Sequence, residues 1–201
     1  MNRPLASLAF GLGAMGATFF IGKLVDPLEL STKYQPARLI GGARKPEALK
    51  YIVLHSTEST GTAAAVASYF QSPSSGGSSQ VVVGEDGAFQ CVPDLRQPAG
   101  APGANSDGLH IEVVGLAKWT REEWLSRAPK ALRRCAEVLG QWARDYKIPL
   151  AFLDAADLKE GVRRGVTTHY EVSQAFKQSD HWDPGKGFPL DYVLEMARLC
   201  A

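Results

Sequence analysis

The segment Tyr51-Ile52-Val53-Leu54-His55 is an apolar run of strand length that ends in a histidine. Short apolar runs that contain β-branched residues and end at polar residues are typical of strands buried on both faces. A second run, Leu109-His110-Ile111-Glu112-Val113-Val114, places polar side chains at alternate positions. Because side chains alternate between the two faces of a strand, His110 and Glu112 are predicted to share one face.

Helical patterns separate these runs from further strand-like segments. Thr120 and Glu123 form a capping box that opens a helical pattern extending to Tyr146, and Pro129 must kink or split this pattern. Asp86-Gly87 is a strong hairpin signal between two short strands. The other predicted elements are a helix over 62–71, strands over 80–84, 88–92 and 166–169, a short helix near Asp154 and a closing helix over 190–199. Strands alternating with helices predict an α/β fold: a single domain with a central mixed β-sheet flanked by helices.

Composition is ordinary for a globular protein. The chain has 201 residues, of which 45% are apolar and 21% charged, and its formal net charge is +1. This length suits one domain with a full core. Since there is no basic excess, no nucleic-acid partner is indicated. The three cysteines are widely spaced and form no CxxC pair, so neither a cysteine zinc cluster nor a disulfide framework is expected.

The amino terminus carries an uncharged, apolar stretch over residues 4–22, between Arg3 and Lys23. Its length is close to the ~20 apolar residues of a membrane-spanning helix, although it is rich in glycine and alanine. Three interpretations remain open for residues 1–23: a membrane anchor or uncleaved export signal, a cleaved secretory signal, or a buried or disordered terminal segment. The first two place the protein in the cell envelope. Proline and glycine punctuate residues 24–47, which are predicted to be a linker before a domain over 48–201.

Several metal-binding side chains lie where predicted elements end. His55 and His169 each end a strand-like run, and Asp183 precedes Pro184-Gly185. Neutral imidazole is the commonest metal ligand, and a catalytic zinc needs three protein ligands and one open position. Taken alone, each histidine is equally consistent with a structural role, and Asp183 with a simple turn. Glu112 is more informative, because an ionised carboxylate within an apolar strand is costly unless it is paired or faces a polar cleft.

Four segments follow one another in this order: Tyr51–Thr57, Gly108–Gly115, Thr168–Ser173 and His181–Gly185. Together they resemble the zinc-dependent N-acetylmuramoyl-L-alanine amidases of the type 2 family, which includes phage endolysin domains and peptidoglycan recognition proteins. The resemblance extends over residues 48–199. The intervening segments Val83–Gly87, Ala101–Asn105 and Asp157–Gly161 look most like amidase domains of phages that infect actinobacteria. The resemblance therefore implies that the protein is produced in a phage-infected bacterium.

The resemblance implies a role for each matching residue. His55, His169 and Asp183 fall on the family's ligands to Zn²⁺, and Glu112 falls on its catalytic glutamate. His181 falls where many members have a lysine that stabilises the oxyanion. The implied reaction is hydrolysis of the amide between N-acetylmuramic acid and L-alanine in peptidoglycan. His110 is then either a wall of the pocket, which we favour, or a partner of Glu112.

The substrate groove is expected to be lined by Thr57, Asn105 and Trp182. Two positions depart from the family's pattern. Gln80-Val81 stands where many members have a His-Tyr pair, and Ala99-Gly100 where many have Trp-His. Neither position carries a metal ligand, so the departures concern substrate contacts.

Two other functions remain open from the sequence. One is a peptidoglycan-binding domain of the same fold without hydrolysis, and the other is an unrelated structural protein whose histidines satisfy core hydrogen bonds. The presence of all three ligand positions together with Glu112 favours the enzyme. We expect a monomer whose partner is peptidoglycan, with membrane association through residues 4–22.

Overall fold

Strands and helices are interspersed along the described residues, as expected for an α/β domain. The computed structural model describes residues 32–201. The strands are β1 Thr32–Tyr34, β2 Tyr51–Ser56, β3 Val81–Gly84, β4 Gly87–Gln90, β5 Gly108–Val113 and β6 Gly165–Thr168. The helices are α1 Ala63–Gln71, α2 Arg121–Arg127, α3 Pro129–Tyr146, α4 Ala155–Glu160, α5 His169–Phe176 and α6 Leu190–Cys200.

The strands form one six-stranded mixed sheet in the order β1-β4-β3-β5-β2-β6. The β3–β4 hairpin is antiparallel, and every other neighbouring pair is parallel. This confirms the predicted α/β class with a central mixed sheet. Parallel β2 lies between β5 and β6, so the carboxyl ends of these three strands meet at one edge of the sheet.

Helices cover both faces of the sheet. The largest apolar cluster joins α3 and α6 to one face, where it includes Ile52, Leu54, Ile111 and Val113. Smaller clusters join α1, α4 and α5 to the opposite face. The predicted alternation along β5 is therefore confirmed: its apolar residues face α3 and α6, and His110 and Glu112 point the other way.

Local signals account for the helix ends. The Thr120 side chain accepts from the Glu123 backbone N–H while the Glu123 carboxylate accepts from the Thr120 N–H, so the predicted capping box is present. Pro129 splits the long helical pattern into α2 and α3 and takes the first position of α3, where a missing N–H costs no hydrogen bond.

The segment predicted to be a linker packs against the domain from residue 32 onward. Residues 32–34 form an edge strand that pairs with β4, and Ala37 is buried beside α1. Arg44 anchors this segment, since its guanidinium donates to the carbonyls of Asp94, Asn105 and Gly108. Proline and glycine correctly indicated irregular backbone, but they do not reveal that such backbone packs against the domain.

The amino-terminal predictions lie outside the described residues, both the apolar segment over 1–23 and the first part of the linker. Among residues 32–201, no helix is both long enough and apolar enough to cross a membrane.

Candidate metal centre

Two strand ends and one loop bring the predicted ligands together. His55 is the penultimate residue of β2, and its Cα is paired in register with that of Glu112 on β5. His169 directly follows β6 and begins α5. Carboxyl ends of parallel strands are the usual place for sites in open α/β sheets. The loop before α6 then brings Asp183 over this edge.

The side-chain nitrogens and oxygens of His55, His169 and Asp183 converge. His55 Nδ1 and His169 Nδ1 are 3.1 Å apart. Asp183 Oδ2 lies 3.2 Å from His55 Nδ1, and Asp183 Oδ1 lies 3.2 Å from His169 Nδ1. All three side chains are buried, and their donor atoms lie within 4.8 Å of one another. Two imidazoles and a carboxylate facing one point form a donor set that suits zinc.

Each histidine ligand has a second partner on its outward nitrogen. His55 Nε2 lies 3.0 Å from His110 Nδ1, and His169 Nε2 lies 3.5 Å from Ser179 Oγ. Such outer contacts orient ligating imidazoles and fix which nitrogen is free to bind metal. Both outward contacts leave Nδ1 as the atom that faces the centre.

Charge and burial shift the pKa values in opposite directions. Burial lowers the pKa of His169 to about 4, and burial lowers the pKa of His110 well below its ordinary value. Burial alone would raise the pKa of Asp183, but hydrogen bonds from His169 and His55 outweigh it and hold that pKa well below its usual range. Burial opposes protonation of His55 too, yet its hydrogen bond to Asp183 and the nearby Glu112 charge raise its pKa. Asp183 is therefore held in its ionised form, and its negative charge favours a bound cation.

Glu112 lies beside this donor set. The residue is partly exposed, but its Oε2 atom is buried and accepts no hydrogen bond from any residue that the structure describes. Burial, with added repulsion from Asp183 and Glu58, raises its pKa to about 7, although His55 opposes the shift. A carboxylate with a pKa near neutrality is suited to take up and release a proton.

His181 lies at the rim of the site. Its ring stacks on His169 with centroids 4.2 Å apart, and its Nδ1 is 3.3 Å from Asp183 Oδ1. The side chain is 59% exposed, in contrast to the buried ligands. It is thus free to turn toward a bound substrate.

The centre opens into a cleft of about 690 Å³. Thr57 and Asn105 line this cleft together with Glu112. The Asn105 carboxamide oxygen accepts from the Gly100 and Ala101 N–H groups, so it also shapes the loop. Among the described residues, the lining contains no lysine or arginine.

Trp182 does not line that cleft, contrary to the groove predicted from sequence. Its half-exposed side chain borders a second cavity of about 420 Å³, together with Phe152, Tyr170 and Phe188. Neighbouring residues of an irregular segment can point to opposite sides, which places Asp183 in the centre and Trp182 outside it.

Sequence reasoning missed two neighbours of the centre. Ser179 carries no signal that would single it out in a polar loop. Glu58 has a left-handed backbone (φ 50°), and its Oε1 accepts from Ser56 Oγ and the Ala117 N–H, each at 2.7 Å. Non-glycine residues in this region are uncommon and concentrate at functional sites.

A family model described as "N-acetylmuramoyl-L-alanine amidase" matches residues 45–186, more than half of the chain. The chain belongs to this amidase family. This is the family that the sequence resemblance indicated. The chain is therefore a peptidoglycan hydrolase of the N-acetylmuramoyl-L-alanine amidase type. A comparison with curated protein sequences found no match.

Solved structures of similar fold include a hydrolase, an endolysin and an amidase. The hydrolase AmiA of Staphylococcus aureus, in complex with its ligand, aligns with a TM-score of 0.65 at 16% identity, over 83% of this amidase and 80% of that chain. A mutant endolysin from Bacillus subtilis aligns with a TM-score of 0.56 at 19% identity, over 86% of this amidase and 99% of that chain. The amidase LysC from Clostridium intestinale URNW aligns with a TM-score of 0.56 at 14% identity, over 84% of this amidase and 96% of that chain. At these identities the structures show a shared fold.

Replacing the orphaned carboxylate of this amidase should increase its stability. In the metal-free protein, Glu112→Gln should raise the free energy of unfolding at pH 8 by about 1–3 kcal/mol, because Glu112 is ionised there at the cost of burial. A carboxyl group whose pKa is raised by folding contributes to the stability of the folded state at pH values below its pKa in the unfolded chain. That contribution is lost as the pH rises through its pKa in the folded protein. The gain should therefore vanish below about pH 4.5. Denaturant unfolding at both pH values measures it.

Glu195→Gln, at an exposed position of α6, is the matched control, since it removes a surface carboxylate without changing the centre. A Glu112→Gln protein that is no more stable than wild type at pH 8 would mean that the carboxylate finds a partner in solution.

Proposed function

We propose that this chain is a zinc-dependent N-acetylmuramoyl-L-alanine amidase that acts as a phage endolysin. The observation that carries the zinc assignment is the convergence of His55, His169 and Asp183 in one cleft with an unpartnered Glu112. The donors suit zinc because structural and catalytic sites of this ion take imidazole and carboxylate ligands, and catalytic ones use three.

Zinc bound by these ligands would supply a water of lowered pKa, about 7, and would polarise the scissile carbonyl. Glu112 takes the proton from the attacking water as its general base. The same carboxyl, with its pKa near neutrality, then donates that proton to the departing amino group of L-alanine. Its lack of any other hydrogen bond leaves the carboxylate free for both transfers.

His181 acts on the other side of the reacting carbonyl. Because His181 lies at the rim, its ring N–H can donate a hydrogen bond to the substrate oxygen. That oxygen gains negative charge when the amide carbon becomes tetrahedral. Stacking on His169 keeps its ring beside the centre, and the side chain remains 59% exposed toward the substrate side.

The cleft surrounding the centre is the proposed groove for the glycan and the stem peptide, with Thr57 and Asn105 along its wall. We assign the amino-terminal stretch over residues 4–22 the task of localisation, as a membrane anchor or export signal that brings the enzyme to the peptidoglycan side of the cell envelope. Fractionation that finds the full-length protein solely in the cytoplasm would reject this assignment.

Zinc content and activity should separate the ligands from the base. His55→Ala, His169→Ala and Asp183→Ala should each lose the bound zinc and the release of stem peptides from purified peptidoglycan. Glu112→Gln should keep its zinc but lose activity by about 100- to 10,000-fold, the usual contribution of a general base. Metal analysis and amino-group release measure the two properties.

A chelator should inactivate the wild-type protein and lower its melting temperature, because a ligand bound only by the folded state stabilises it. Added zinc should restore both the activity and the melting temperature. A protein that binds peptidoglycan with zinc in place but hydrolyses nothing would instead be the non-catalytic recognition domain, and full activity in Glu112→Gln would eliminate the proposed base.

His181→Ala should retain zinc while kcat falls by about 100- to 1,000-fold, the typical effect of removing one oxyanion donor. His181→Lys should recover most of this loss, since an ammonium can donate to the same oxygen. Steady-state kinetics on a soluble muramoyl-peptide compares the three proteins. Equal kcat in His181→Ala and wild type would show that this histidine is only a rim residue.

A further inference from the structure

His110 lies fully buried between the metal centre and the loop over residues 99–107. Its Nδ1 is 3.0 Å from His55 Nε2, and its Nε2 is 3.4 Å from the carbonyl oxygen of Ala104. A carbonyl oxygen can only accept a hydrogen bond. In the neutral ring, Nε2 therefore carries the proton and Nδ1 carries the free electron pair.

The same logic fixes His55. Because His110 Nδ1 can only accept, His55 Nε2 must donate to it. When His55 is neutral, its proton is then on Nε2, and the free electron pair is on Nδ1. That atom is the one that faces Asp183 and His169.

We propose that His110 is a positioning residue for the metal centre: the chain Ala104–His110–His55 holds His55 in the tautomer that presents Nδ1 to the metal. This inference rests on the proposed zinc site. Hydrogen bonds to the outward nitrogen of a ligating histidine also restrict the ring's orientation and increase its basicity.

Space for the His110 ring is provided by two glycines. A Cβ added at Gly100 would lie 2.5 Å from His110 Nδ1, and one at Gly108 would lie 2.9 Å from His110 Nε2. Both distances are shorter than any ordinary van der Waals contact. Any larger residue at position 100 or 108 would push the ring away from His55 or from Ala104.

Gln80 holds the backbone of His110 in the same place. Its Oε1 accepts from the His110 N–H at 2.7 Å, and its Nε2 donates to the Arg96 carbonyl at 3.0 Å. Gln80 and Gly100 are two of the positions at which the sequence departs from the family's pattern. The structure brings both into contact with His110, so the departures belong to one packing unit instead of being separate losses of substrate contacts.

Nitrogen NMR of histidine-labelled wild-type protein tests the tautomer directly. We expect His110 to be protonated at Nε2 alone and a scalar coupling across the hydrogen bond between His55 Nε2 and His110 Nδ1. Protonation of His110 at Nδ1 would overturn the proposal. The spectrum can be recorded on the metal-free protein, so this test does not depend on zinc binding.

Zinc affinity of two similar-sized variants tests the consequence. His110→Leu removes the acceptor and should raise the zinc dissociation constant by about 10- to 100-fold, the usual effect of losing an outer partner. His110→Asn places a carboxamide oxygen near the position of Nδ1 and should recover most of that affinity. Competition with a chromophoric chelator measures both.

Gly100→Ala supplies a further variant in case His110→Leu does not fold. Its methyl group should displace the ring and weaken zinc binding while His110 itself remains. Wild-type affinity in all three variants, or an equal loss in His110→Leu and His110→Asn, would overturn the proposal and leave His110 as a packing residue. Absence of zinc binding by the wild type would instead reject the proposed function, while the NMR result on His110 would stand.

Discussion

The parallel alignment of β6, β2 and β5 is the arrangement on which the site depends. It sets His55 opposite Glu112 in register and ends β6 one residue before His169. Since side chains alternate along a strand, a slip of one residue between β2 and β5 would turn either His55 or Glu112 into the core beneath α3. The apolar side chains of Ile52, Leu54 and Ile111 oppose such a slip, because each would have to leave that core. The same burial that stabilises the sheet therefore fixes the chemistry at its edge.

The site itself opposes stability in the absence of a cation. Among residues 32–201, Glu112 Oε2 is buried without a hydrogen-bond partner, whereas the buried Asp183 carboxylate is paired with the imidazoles of His55 and His169. Buried carboxylates are costly unless paired or bound to metal. Folding nevertheless holds them in place because they lie at the edge of a well-packed sheet whose apolar clusters cover both faces. A loss of folding stability at this place is expected, because the site is arranged to bind a ligand and not to stabilise the fold.

Features that depend on neighbouring residues were predictable from the sequence, and features that depend on distant pairing were not. The alternation along β5, the capping box at Thr120 and the split at Pro129 follow from local stereochemistry. The pairing of residues 32–34 with β4 does not, because a polar three-residue strand has no periodicity to distinguish it from a linker. The side on which Trp182 lies depends likewise on the course of an irregular segment. The ligand positions were identified through the resemblance, and the structure supplies the distances between them.

The contacts of His110 in the structure differ from those expected from the sequence. On the sequence, it was one polar side chain on the cleft-facing side of β5, and wall or partner of Glu112 were the natural interpretations. In the structure it contacts His55 instead, through the nitrogen that His55 does not need for a metal. A wall residue would tolerate many replacements, but a ring enclosed by Gly100, Gly108 and Gln80 on a ligand histidine does not. Two departures from the family's pattern, at 80 and 100, then have a common physical reason: a histidine on β5 needs an anchored backbone and a neighbour without a side chain. The geometry alone makes these positions interdependent.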